Sequence, residues 1–184
     1  MMRAIALCFS LGLIAGCAGS EDPDYSALFG PDETLLSPAD QKAVFDLMSA
    51  AFPPSEDGTT LTDPNCGDIA PMADVIDLNG DGDYEVFVEY GNTCTSGFTG
   101  RSLSLFIKDD SGRYQYQLGF PAMGYQLLER GVDGYPDLEF GGPGFCFPVW
   151  AWDGENYEFK CSLPQVEGGC EQRGNSCPED YNVQ

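Results

Sequence analysis

Residues 75–88, "VIDLNGDGDYEVFV", and residues 127–140, "LLERGVDGYPDLEF", decide the fold when laid over one another at an offset of 52. Each has two aliphatics, an acid, a loop containing Asp-Gly, then an acid that leads into an apolar run. Downstream, residues 104–116, "SLFIKDDSGRYQY", resemble residues 148–160, "PVWAWDGENYEFK". Both of those segments join strand-forming residues through a Gly-containing turn to a returning Tyr. Each unit therefore reads as two hairpins, four strands in a meander.

Two such units are too few to close a propeller. The expected fold is mainly β: two four-stranded antiparallel, blade-like meanders, either propeller-like or a small sandwich, with one N-terminal helix. That helix is read from "SPADQKAVFDLMSAAFPP". Ser37 is a good N-cap, Pro38 suits the first helical position, and Asp40 and Gln41 sit in the first turn. Val44, Leu47, Met48 and Ala51 give one apolar face, and Pro53 ends the helix. A single short helix needs a sheet to pack on.

Ahead of the helix, "MMRAIALCFSLGLIAGC" has Arg3 as a positive flank and a short apolar core from Ala4 to Ala15. Such a run is too short to span a bilayer and reads as a signal peptide. Ala15 and Gly16 directly before Cys17 resemble the bacterial lipobox. That resemblance implies cleavage before Cys17 and lipidation of its thiol and new amino terminus, which anchors a protein without a spanning helix. Ala18 after the cysteine, rather than Asp, looks like an outer-membrane address, on the periplasmic side or the cell surface. The expected organisation is residues 1–16 as signal, 17–30 as a lipidated polar tether, 31–165 as the β domain and 166–184 as a Gly-rich tail closed by a disulfide.

Loss of residues 1–16 removes Arg3, so 30 acids stand against the 7 bases that remain of 8, a formal charge of −23. Nucleic acid is excluded as a partner, because a phosphate backbone needs a basic surface. A strongly negative field favours a cationic protein or a metal ion.

Histidine is absent and no Cys-x-x-Cys pair occurs, so zinc and haem lose their usual ligands. Cys8 leaves with the signal and Cys17 carries lipid. Cys66, Cys94, Cys146, Cys161, Cys170 and Cys177 remain, an even set that reads as disulfides in an exported protein. Hairpins bring residues placed symmetrically about a turn face to face. On that basis Cys66 pairs with Cys94 about the Asn79–Asp81 loop, and Cys146 with Cys161 about Asp153–Gly154. Cys170 and Cys177 are left to close a small loop.

The loop "DLNGDGDYE" offers Asp77, Asn79 and Asp81 on alternate residues, with Gly82 at a sharp turn and Asp83 and Glu85 beyond it. Calcium takes several hard oxygen ligands from such a backbone. An EF-hand needs a bidentate Glu at its twelfth position, where this chain has Val88, and its flanks are helices rather than strands. The spacing instead resembles the calcium loops of FG-GAP and VCBS-type blades, with Asp77, Asn79, Asp81, Gly82 and Glu85 matching the motif. That resemblance implies one Ca2+ held by Asp77, Asn79, Asp81, Asp83 (through its backbone) and Glu85. The second loop keeps Glu129, Asp133, Gly134 and Asp137 but has Gly131 in place of Asn79, and is expected to be an empty turn.

Without histidine the commonest general base is missing, and the remaining candidate pair is Asp137 and Glu139, alternate residues on one strand face. The strand reading suits "GYPDLEFGG" better than catalysis does. Phe145, Phe147, Trp150, Trp152 and Tyr157 are expected to pack a core, with a binding platform as the alternative. A short envelope lipoprotein with such a loop and paired cysteines also resembles immunity lipoproteins that guard against lysozyme-like effectors. This resemblance implies an inhibitor of a peptidoglycan hydrolase, for which the acidic charge suits a cationic partner, and the missing general base points to binding rather than catalysis. An FG-GAP-like adhesion module is the alternative, and a carboxylate-dependent glycosidase the third reading.

Overall fold

The computed structural model describes residues 25–30, 33–178 and 181. The signal segment 1–16 and Cys17 lie outside the described residues. Helix α1 spans Pro38–Ala51, with Ser37 Oγ accepting from the Asp40 amide at 3.1 Å and Pro38 at its first position. Val44 and Met48 are its buried residues. Leu47 and Ala51, expected on the same face, are exposed, and the partly buried Ala43 and Phe45 pack instead. Among the described residues no helix is long and apolar enough to cross a membrane.

Strands β1 (Thr62–Asp63) and β2 (Gly67–Asp68) form a small pair. Strands β3 (Met72–Ile76), β4 (Glu85–Tyr90), β5 (Ser102–Lys108) and β6 (Tyr114–Pro121) then make one antiparallel meander. Strands β7 (Tyr125–Arg130), β8 (Pro136–Phe140), β9 (Cys146–Trp152) and β10 (Tyr157–Pro164) make a second of the same order. The two sheets follow the repeat read from the sequence, hairpin for hairpin.

Alternation along the strands sorts the core into layers. Val86 and Val88 of β4 and Phe106 of β5 face α1, with Leu61 and Ile69. Phe87 of β4 and Leu103, Leu105 and Ile107 of β5 face the second sheet, where they meet Leu138 and Phe140 of β8. The first sheet is thus buried on both faces, which explains the near-continuous apolar runs of β4 and β5. Phe87, Phe106 and Phe140 are fully buried. Each such burial stabilises the fold by about 2–3 kcal/mol.

The outer face of the second sheet is covered by the tail. Leu128, Val149, Cys161 and Leu163 pack there against Cys177 and Tyr181. The segment before α1 also differs from a tether with little to bury: Leu28 and Phe29 are in the core, and the Ala73 amide donates to the Leu28 carbonyl at 3.1 Å.

The disulfides correct two of the three expected pairs. Cys66–Cys94 forms as expected. Cys146 joins Cys170 and Cys161 joins Cys177, so the tail is tied to β9 and β10 rather than closed on itself. The reason is register. The β9–β10 turn falls between Trp152 and Tyr157, and a bulge between Phe159 and Cys161 adds a residue. Cys146 therefore faces Pro164 and Cys161 faces Val149, several residues out of reach of each other along the ladder.

Candidate functional site

The loop between β3 and β4 is organised around Asp77. Its Oδ1 accepts from the Gly80 amide at 2.7 Å and the Asp81 amide at 3.2 Å, and its Oδ2 from the Gly82 amide at 3.1 Å. Asp81 Oδ1 accepts from the Asp83 amide at 2.8 Å, and Asn79 Nδ2 donates to Asp81 Oδ2 at 2.8 Å. Gly80 and Gly82 have φ of 85° and 92°, a left-handed backbone that favours glycine. Asp83 turns to Lys108, whose Nζ donates at 3.0 Å.

Glu85 is different. It is 1% exposed and accepts from the Leu78 amide at 2.6 Å and from the Tyr135 hydroxyl at 3.1 Å. Burial pushes its carboxyl up to about 7. The two hydrogen bonds oppose that shift, while the charges of Asp81 and Asp77 add to it. A buried carboxylate that feels two neighbouring carboxylates suits a hard cation in donor chemistry. In side-chain orientation the match is partial, since Asp77, Asn79 and Asp81 spend their oxygens on local amides. Among the described residues no group of three or more acidic or thiol side chains stands together in metal-holding array.

The second loop carries its own cation. Arg130 Nη1 donates to the Gly134 carbonyl at 2.7 Å and to the Leu78 carbonyl of the first loop at 2.8 Å. Asp133 has a left-handed φ of 53°. Asp137 is turned to the outer face of the sheet, where Lys160 Nζ donates to it at 2.6 Å and the Tyr181 hydroxyl also bonds it. Glu139, on the same face, accepts from Gln165 Nε2 at 3.3 Å, and burial raises its carboxyl. These two strand acids serve to hold Lys160, Gln165 and Tyr181 over the sheet.

The aromatic segment divides between core and surface. Trp150 stacks on Phe120 with centroids 5.6 Å apart, and Trp152 lies 4.5 Å from Tyr135. Tyr157 is buried and its hydroxyl donates to the Pro136 carbonyl at 2.9 Å. Phe145 is exposed.

Both meanders run in the same sense, so their tight turns gather at one end. Gly134 approaches the Asn79 carbonyl, Gly154 approaches Val132 and Asp133, and the β5–β6 and β9–β10 turns line one groove. Asp81, Asp83, Asp110, Asp133, Asp153 and Glu155 are all exposed on those turns. Sequence reading found the loop acids through their spacing. It missed Tyr135, Arg130 and Lys108, which reach the site from other turns and strands and carry no local signal. Searches against protein families, curated proteins and solved structures return no match for this chain.

Proposed function

We propose that this protein is a lipid-anchored envelope protein that acts by binding a cationic protein, with a basic peptidoglycan hydrolase as the leading partner. The gathering of exposed acids on four turns at one end of the sheets carries this reading. A chain of net charge −22 that presents six exposed acids at one end of its sheets steers and orients a basic partner. The two stacked meanders are read as successive blade-like units. Calcium belongs to the same reading: Asp77, Asn79, Asp81, Glu85 and the backbone at Asp83 would hold it, and the ion would supply charge neutralisation and a rigid junction beneath the acidic turns.

The test is direct. The full chain, in detergent micelles, is titrated into a cationic muramidase at low and at high salt. Expected are stoichiometric loss of muramidase activity and binding that weakens steeply with ionic strength. Asp133→Asn with Glu155→Gln should weaken that binding further. Unaltered muramidase activity together with no binding at low salt would sink the reading.

A further inference from the structure

The turns of β5–β6 and β9–β10 do more than carry acids. They wall a groove of about 730 Å³, a size suited to a small ligand. We propose that this groove binds a neutral saccharide, a role beyond the protein-binding reading above.

Two aromatic residues line it, one from each sheet. Tyr116 projects from β6 and is 56% exposed; Trp152 comes from the end of β9 and is half-buried against Tyr135 and Tyr157. Aromatic faces take the C–H face of a pyranose by dispersion and desolvation. Gln117 and Asn156 line it as well. Gln117 is the extra residue of the β5–β6 bulge, and its Oε1 is buried beneath the groove with no hydrogen-bond partner among the described residues. The Asn156 side chain likewise makes no hydrogen bond among the described residues; its backbone amide donates to Asp153 Oδ1 and its carbonyl accepts from the Asp153 amide. Uncharged amides that both donate and accept match a rim of hydroxyls.

The charges at the groove point to a neutral ligand. Asp109 is already saturated: Oδ1 accepts from the Ser111 and Arg113 amides, and Oδ2 from Arg113 Nη2 at 3.3 Å and Gln115 Nε2 at 2.9 Å. Lys108 is spent on Asp83 and Asp40. Arg113, the other base at the groove, is paired with Asp109, so an anionic glycan would meet Asp110 and Glu155 with both basic side chains already engaged by carboxylates. A hydroxyl, by contrast, donates to a carboxylate as readily as it accepts from an amide.

The full chain is titrated with cellotetraose, chitotetraose and tetragalacturonic acid, reading heat and tryptophan fluorescence, since Trp150 and Trp152 are the only tryptophans. At least one neutral tetrasaccharide should bind and perturb the emission, with the acidic one at least tenfold weaker. Tyr116→Ala, an exposed change, and Asn156→Ala should each weaken binding several-fold, and Trp152→Phe should abolish most of the emission change. Phe145→Ala, at the other end of the sheets, should bind as the unaltered chain does. Absence of binding by both neutral probes at millimolar concentration overturns the proposal. Equal binding by the acidic tetrasaccharide, or full affinity in both Tyr116→Ala and Asn156→Ala, does so too. No protein partner enters this titration, so its failure leaves the protein-binding reading standing.

Discussion

The hydroxyl of Tyr135, just before β8, donates to Glu85 Oε1, at the start of β4, across 3.1 Å and 50 residues of chain. Both residues are buried, and the bond ties the first hairpin of the second sheet to a central strand of the first. Tyr135→Phe keeps the ring packing against Trp152 and Tyr157 but strips a donor from a buried carboxylate. The expected loss is about 1–2 kcal/mol near pH 8, measured by urea unfolding. The loss should shrink near pH 5, where Glu85 is protonated. An unchanged unfolding midpoint at pH 8 would show that the bond contributes nothing.

Glu85 also sets a pH dependence. Its folded pKa, about 7, lies above its ordinary value of 4.5 because burial disfavours the charge. A raised folded pKa gives stability that is complete below the unfolded value and is lost as pH rises through the folded one. With chelator present, stability should fall by about 2 kcal/mol between about pH 5 and pH 8. Glu139, shifted the same way by burial, adds to this slope. Asp57 and Asp153, held low by local hydrogen bonds, act only below about pH 4 and leave the window clear. Glu85→Gln should flatten most of the slope; a slope of the opposite sign would contradict the assignment.

Calcium, if held by Asp77, Asn79, Asp81 and Glu85, stabilises only the folded loop, so the melting temperature should rise with free calcium. Asp81→Ala should remove that rise. Asp133→Ala should leave it intact, since Arg130 already occupies the Gly134 carbonyl of the second loop. Magnesium, with its demand for smaller octahedral geometry, should substitute poorly. Identical melts in millimolar calcium and in chelator would reduce the loop to a turn held by Asp77.

The tail bonds give a mapping experiment. Non-reducing digestion should yield linked peptides containing Cys146 with Cys170 and Cys161 with Cys177. The double change Cys161→Ser with Cys177→Ser opens a link that spans 16 residues. It should cost about 3 kcal/mol through the unfolded chain. It should also expose Leu128 and Val149, which the tail covers. A Cys146–Cys161 peptide would instead restore the pairing expected from hairpin symmetry.

The anchor is tested at Cys17. Replacement by Ser should move the protein from the membrane fraction to the soluble one and remove the mass of the acyl chains. Membrane retention at unchanged mass would refute lipidation.

Sequence by itself determined what acts over a few residues. The Ser37–Pro38 start of α1, the strand alternation and the Asp-Gly turns are local steric and hydrogen-bonding preferences, and the offset of 52 turned them into two matching meanders. The loop backbone was legible for the same reason, since Asp77 captures amides within five residues of itself. Tertiary structure alone decided the partners. The position of the β9–β10 turn, with one bulge between Phe159 and Cys161, set the ladder out of the expected register, and the two disulfides go to the tail. Stacking of one sheet on the other brought Tyr135 to Glu85, Arg130 to Leu78 and Tyr116 into one groove with Trp152. Such contacts depend on register and on the rotation between sheets, which sum small geometric choices along the whole chain and leave no mark at any one spacing.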